Sequence, residues 1–187
     1  MSGAAPDPRE EMLEHLPALR AFALSLTRNG ATADDMVQDT VVKAWTNIEK
    51  FKVGTNMRAW LFTILRNTYY SSRRKANREV SDADGIMTDS LSVKPDHDGH
   101  LNLSDFKKAF EMLPDEQREA LVLVGAAGHS YEDAAQICGV AVGTIKSRAN
   151  RGRARLTELL SLDGDSPLEI TDNATMAVVA GGGGVMR

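Results

Sequence analysis

The sequence predicts an all-α protein: two small helical domains joined by a flexible linker, the second containing a helix-turn-helix. Three observations predict it. Apolar residues recur at helical spacing through residues 10–78 and again through residues 104–162. Between them, residues 79–103 are rich in Asp, Ser, Gly, Pro and His and hold no period, over a length too great for an ordinary intradomain loop. Residues 130–155, SYEDAAQICGVAVGTIKSRANRGRAR, have the layout of two helices around a glycine.

Taken in order, Met12, Leu16, Leu19, Ala23 and Leu26 line one side of a first helix, which Asn29-Gly30 ends. Thr32 and Asp35 have capping-box spacing and open a second helix. On it Val37, Val41, Trp45 and Ile48 form the apolar face, while Asp34, Gln38, Asp39 and Lys43 point largely away. Lys52 to Met57 is a short polar connection containing Gly54. A third helix runs from about Arg58 to Arg78, with Trp60, Leu61, Ile64 and Leu65 inward, and turns basic towards its end. Trp45 and Trp60 are read as core.

In the second domain Ser104 caps a helix with Phe106, Ala109, Phe110 and Leu113 inward. Pro114 opens the next, where Asp115, Glu116 and Glu119 suit the helix dipole. The apolar run Ala120 to Val124 stops at the glycines 125 and 128. Ser130 and Asp133 then cap a helix carrying the small residues Ala134, Ala135 and Cys138. Gly139 stands where a sharp turn needs positive φ. Ile145 packs back, and Lys146, Arg148, Arg151, Arg153 and Arg155 follow with no acid among them. A helix of this kind can enter a major groove and pair with phosphates on either side. Residues 163–187 read as a flexible tail, whose four consecutive glycines lack the Lys-Ser/Thr of a phosphate-binding loop.

The formal net charge of −4 hides a sorting of charge. Half of the 22 Lys and Arg residues lie in two acid-free stretches, 58–78 and 143–155, leaving 26 acids against the other 11 cations. Such local patches predict nucleic-acid contact, with acidic surface left for another partner. The lone Cys138 rules out a disulfide framework and fits a reducing cytoplasm. The first residues lack the apolar core of a signal peptide, and no run reaches a membrane span. The expected location is therefore cytoplasmic. The string DHDGH, Asp96 to His100, lacks the fixed ligand set of a zinc site. His15, His97, His100 and His129 are dispersed, with no paired carboxylates, nucleophile motif or cofactor loop. Neither an enzyme nor a cofactor is expected.

The loop before the third helix has the chemistry to hold an unpaired base. Phe51, Trp60, Tyr69 and Tyr70 stand near Lys52, Arg58 and Arg66, and Thr55 and Asn56 offer hydroxyl and amide groups. With both domains in view, the chain resembles the extracytoplasmic-function group of bacterial sigma-70 factors. ADDMVQDTVVKAW resembles the polymerase-binding helix, NMRAWLFTILRN the promoter-melting segment, and LPDEQREALVLVGAAGHSYEDAAQICGVAVGTIKSRANRGRARL the −35-binding domain. FKVGTNMRAWLFTILRNTYYSSRRK and the DADG linker further resemble the general-stress-response sigma of Alphaproteobacteria, the EcfG type.

The resemblance implies a non-catalytic specificity subunit: residues 10–78 as sigma-70 region 2 and residues 104–162 as region 4. Asp34, Asp35, Gln38, Asp39 and Lys43 would meet the clamp helices of the polymerase large subunit. Lys52, Thr55, Asn56, Arg58, Arg66, Asn67, Arg73 and Arg74 would handle the −10 element. Lys146, Ser147, Asn150 and Arg151 would face −35 bases, with Thr144, Arg148 and Arg153 nearer phosphates. The resemblance also implies a NepR-like anti-sigma factor, and a PhyR-like regulator that releases the sigma factor by mimicry. A stand-alone helix-turn-helix regulator is the alternative. It leaves residues 10–78 without a task and predicts operator binding by the free chain.

Overall fold

A computed structural model describes residues 7–81 and 103–160, and every regular element among them is helical. The DHDGH string, most of the expected linker and the glycine-rich tail lie outside the described residues. The first half comprises α1 (Pro8–Glu14), α2 (Leu16–Thr27), α3 (Gly30–Thr46) and α4 (Met57–Ser81), with a 3₁₀ turn at Ile48–Lys50. The second comprises α5 (Leu103–Glu111), α6 (Asp115–Leu121), α7 (Tyr131–Cys138) and α8 (Val142–Leu159).

The single first helix expected from periodicity is two. Pro17 lies in the first turn of α2, where its missing N–H is harmless, and His15 serves as both the C-cap of α1 and the N-cap of α2. Arg28 closes α2 in the left-handed region, at φ 57°, and donates its N–H to Leu24 O at 2.8 Å. Asn29, rather than Thr32, caps α3: its Oδ1 accepts from Thr32 N at 3.0 Å. Ser104 likewise sits inside the first turn of α5 instead of capping it.

The inward stripe of α3 is also shifted from the expected one. Ala33, Met36, Thr40 and Ala44 are buried, whereas Trp45 is 51% exposed and carries the Arg9 guanidinium 4.9 Å from its ring centroid. Trp45 is therefore not core. Its ring is covered by a cation from α1. Small residues on the buried side let α3 lie close to α2 and α4.

Helix α4 carries Leu61, Phe62 and Leu65 fully inside and runs into the stretch read as linker, ending at Ser81. Beyond α6 the chain does not stop at Gly125 but continues as one π-helical turn, Val122–Ala126. The helix-turn-helix matches its sequence reading. Ser130 Oγ accepts from Asp133 N at 2.9 Å, Gly139 turns at φ 66°, and Ile145 is buried. Gly152 of α8 rests on α6 so closely that a Cβ there would lie 2.8 Å from Leu121 Cδ1.

The two halves pack on each other, α2 against α6 and α4 against α7. Phe62 joins them. It stacks on Phe22 with centroids 5.0 Å apart and meets the edge of His129 at 4.7 Å. Around that contact the apolar interiors of the halves run together, so two small cores gain burial that neither has alone.

Candidate nucleic-acid interface

Helix α8 presents its side chains in two classes. Lys146, Ser147, Asn150 and Arg151 are exposed, at spacings that share one face of the helix. Thr144, Arg148 and Arg153 are half-buried on its flanks. Arg148 pairs with Glu116 at 3.0 Å, and Arg153 donates to Asn150 Oδ1 at 3.2 Å. The Lys146 ammonium lies 5.6 Å from the Tyr131 ring centroid, which steadies it against α7. The result is an open polar face flanked by braced cations.

The loop between α3 and α4 is shaped by Gly54, at φ 87°, and by Thr55, whose N–H and Oγ1 both donate to Lys52 O, at 3.0 and 2.7 Å. Asn56 Oδ1 accepts from Ala59 N at 3.0 Å, so this candidate base contact is also the N-terminal cap of α4. Lys52 and Thr55 are exposed. The aromatic residues near the loop are less available than the sequence suggested. Phe51 and Tyr69 are buried, Tyr69 donates to Leu26 O at 3.0 Å, and Trp60 packs on Phe51 at 5.3 Å. Trp60 and Tyr70 are half-buried, and the Arg66 guanidinium lies over the Tyr70 ring at 4.5 Å.

Along α4, Asn67 and Arg74 are exposed, while Arg58 is half-buried over Phe62 at 5.7 Å. Arg66 and Arg73 are already engaged. Arg66 Nε and Nη2 donate to the two Glu119 oxygens at 2.6 and 3.3 Å, and Arg73 Nη1 donates to Asp115. Asp115 also accepts from Arg118 at 2.6 Å, and Arg28 approaches it at 3.5 Å. Burial pushes the Asp115 carboxyl up, but Arg118 and Arg73 outweigh it and hold it below the ordinary carboxylate range.

Sequence reading missed these acids. Its position in the first turns of α6 predicts a dipole partner in Glu119, yet that side chain is fully buried. A cue was available: Glu119 precedes buried Val122 and Leu123 by three and four residues, which places it on the apolar side of its helix. Arg118 is buried beside it, donating to Ser25 O at 2.6 Å and Leu113 O at 2.9 Å.

On α3, Asp35, Gln38 and Asp39 are exposed in a row, with Val42 and Trp45 continuing the same open surface. Asp34 is paired with Arg20 at 2.6 Å, and Lys43 donates to Thr68 Oγ1 at 3.0 Å. Those two side chains brace α3 against its neighbours.

Comparison with known proteins decides what this arrangement is. Residues 12–79 match the Sigma-70 region 2 family and residues 103–156 match Sigma-70 region 4. The chain belongs to the extracytoplasmic-function sigma-70 family. It is 51% identical, over 94% of its length and 96% of the relative's, to the ECF RNA polymerase sigma factor EcfG of Rhodopseudomonas palustris. Among solved structures, the sigma factor RpoE in complex with the anti-sigma factor NepR from Bartonella quintana matches with a TM-score of 0.71. That match has 56% identity over 82% of this sigma factor and 96% of the solved chain. A chain of the PhyRSL–NepR complex from Sphingomonas sp. Fr1 matches at a TM-score of 0.59, covering 82% of this chain and 90% of that one. At 19% identity that likeness shows a shared fold. No helix among the described residues is long and apolar enough to cross a membrane.

Proposed function

We propose that this sigma factor, acting in the cytoplasm, carries core RNA polymerase to stress-response promoters. In this reading residues 10–78 dock on the clamp helices of the large subunit through Asp35, Gln38 and Asp39. Asp34 and Lys43 brace the same helix. Residues 104–162 read a −35 element, with Lys146, Ser147, Asn150 and Arg151 towards bases and Thr144, Arg148 and Arg153 towards phosphates. The loop Lys52–Asn56 captures a base of the −10 element. Arg58, Arg66, Asn67, Arg73 and Arg74 then follow the single strand. No step is catalytic. The chain contributes address and strand separation, and the polymerase contributes chemistry.

The observation that carries this reading is the exposed quartet on α8, set in a chain that matches a sigma factor over 94% of its length. Four polar side chains on one open helix face, braced by cations on either flank, fit a major groove better than a solvated surface. The solved relative in complex with NepR supports a NepR-like anti-sigma factor as a further partner, with a PhyR-like regulator acting on that complex.

Promoter-dependent run-off transcription with purified core polymerase tests the reading. Transcripts should start at a stress promoter only when the chain is present. Asp35→Lys with Asp39→Lys should abolish core binding, because like charge at an interface costs several kcal/mol, about a hundred- to a thousandfold in affinity. Unchanged transcription by that variant would move the docking surface elsewhere.

A further inference from the structure

Two cations, Arg28 and Lys107, have no task in the proposed function. Arg28 ends α2, Lys107 lies on α5, and both are exposed at the rim of one cleft. Leu24 and Arg28 line it from the first half, and Lys107, Phe110, Glu111 and Arg118 from the second. Its volume of about 60 Å³ is enough for several waters, or for a group of phosphate size.

Positive charge is in excess around this cleft. Three guanidiniums converge on the single carboxylate of Asp115: Arg118 at 2.6 Å, Arg73 on the other oxygen, and Arg28 at 3.5 Å. Arg28 therefore has the loosest hold. Arg118 is spent, since its remaining donors reach Ser25 O and Leu113 O. Burial and then the Arg28 charge push the Arg118 pKa down, so the two cations still repel each other across the shared acid. Among the described residues that line the cleft, Glu111 is the one acid, against three cations.

Arg28 is also held in an uncommon conformation. Glycines aside, it alone among the described residues has a positive φ, at 57°. Glycine takes that position at the end of a helix with less strain. Strain of this kind collects where a side chain serves a ligand.

We propose that this cleft binds a small phosphate dianion, held between the Arg28 guanidinium and the Lys107 ammonium over the buried charge of Arg118. A guanidinium fork and an ammonium are the two side-chain groups that best hold phosphate oxygens. Glu111 and the carbonyl end of α2 work against an anion, and three full positive charges outweigh them. Leu24 and Phe110 offer an apolar wall to whatever the phosphate is attached to. Because Arg28 belongs to the first half and Lys107 to the second, the occupant binds only the docked arrangement. By linkage it strengthens docking by the free energy with which it binds. A small phosphorylated molecule can thus set how readily the two halves part.

The test uses the full chain and two probes, inorganic phosphate and phenyl phosphate, each against chloride at equal ionic strength. Phosphate should raise the thermal midpoint where chloride does not, and should shift the amide resonances of Arg28 and Lys107. Arg28→Gly removes the charge and relieves the backbone. It should weaken phosphate binding about tenfold or more, by isothermal titration, without lowering the midpoint of the phosphate-free protein. Lys107→Gln should weaken binding similarly, Arg28→Lys should keep most of it, and Glu111→Gln should tighten it. Lys50→Gln, at an exposed cation in the 3₁₀ turn after α3, should leave affinity unchanged. Tighter binding of phenyl phosphate would assign the site to a phosphorylated organic molecule, and equal affinity to free phosphate. A midpoint rise that chloride reproduces overturns the proposal, and so does phosphate affinity unchanged in both Arg28→Gly and Lys107→Gln.

Discussion

Arg66 and Glu119 form a two-point ion pair across the halves, at 2.6 and 3.3 Å, with the acid fully buried and the base largely so. Removing one partner of a buried pair leaves the other charged and unsolvated, at about 3–5 kcal/mol. Here the chain has an escape, because parting the halves returns Arg66 to water. The loss for Glu119→Ala is therefore capped by the free energy of docking. We expect urea unfolding of this variant to split into two transitions, seen by near-UV dichroism at Trp60 and by α8 amide exchange. A single transition lowered by several kcal/mol would mean that the halves cannot part.

His129 makes the same docking sensitive to acid. Its ring is buried against Phe62, its Nε2 has no hydrogen-bond partner among the described residues, and its pKa is lowered to about 4 by burial and then by Arg58. Asp133 opposes this shift and His15 adds to it. The folded chain thus favours the neutral ring. The stability this provides is complete above pH 6.5, falls as the unfolded or undocked form takes up a proton, and is gone below about pH 4. At pH 5 the loss is on the order of 2 kcal/mol. His129→Gln should flatten the dependence of thermal midpoint on pH between 7 and 4.5. An unchanged slope would assign the acid sensitivity to carboxylates instead.

Gly152 tests packing without touching charge. A methyl there would lie 2.8 Å from Leu121 Cδ1, so this fully buried side chain would have to shift. Gly152→Ala gains helix propensity yet should destabilise the second half by about 1–3 kcal/mol through overpacking. In Gly152→Ala with Leu121→Ala the loss should be less than the sum of the two single losses, measured by urea midpoint. A stabilised single variant would show that α6 and α8 can move apart freely.

The fold was legible wherever a short-range rule decides structure. Ser130, Gly139 and Ile145 act through neighbours within a turn or two, and each does what its spacing predicts. Pro17 carried its signal too, but the apolar period across residues 12–26 concealed the break at His15. The stripe on α3 was misplaced because Trp45 and the valines outweigh Ala33 and Ala44 on any hydropathy count. Close helix approach selects the small residues for the inside. The acids that meet α4 were out of reach for another reason. Asp115, Glu119 and Asp133 find Arg73, Arg66 and Asn56 only when two distant segments dock, and no local pattern encodes that.

Within α8, Arg151 and Arg153 should behave as different kinds of contact. Arg151 is exposed beside Ser147, while Arg153 is half-buried and tied to Asn150. Arg151→Ala should cost about 1–3 kcal/mol on the best −35 sequence and relax preference at one base position. Arg153→Ala should weaken all sequences alike and reduce the salt slope by about one. Fluorescence anisotropy on a panel of −35 duplexes at several salt concentrations separates them. Identical profiles for the two variants would sink the division.

Asn56 has two tasks that a single alanine substitution would confuse. Its Oδ1 caps α4 through Ala59 N, and in the proposed function the same side chain meets an extruded base of the −10 element. Loss of the cap alone costs about 1 kcal/mol of helix stability. Serine caps nearly as well as asparagine but has no amide to read a base edge, so Asn56→Ser isolates the second task. With core polymerase present, Asn56→Ser should keep core affinity and −35 binding while open-complex formation slows. Base extrusion itself requires a few kcal/mol, and a lost contact to the extruded base raises that barrier. A fluorescent base in the −10 element, followed by stopped flow, reads the opening rate directly. A promoter already unpaired there should restore transcription by Asn56→Ser, since no extrusion remains to be stabilised. Wild-type opening rates in this variant would leave Asn56 as a helix cap alone and move base capture to Thr55 or Lys52, which flank the same turn at Gly54.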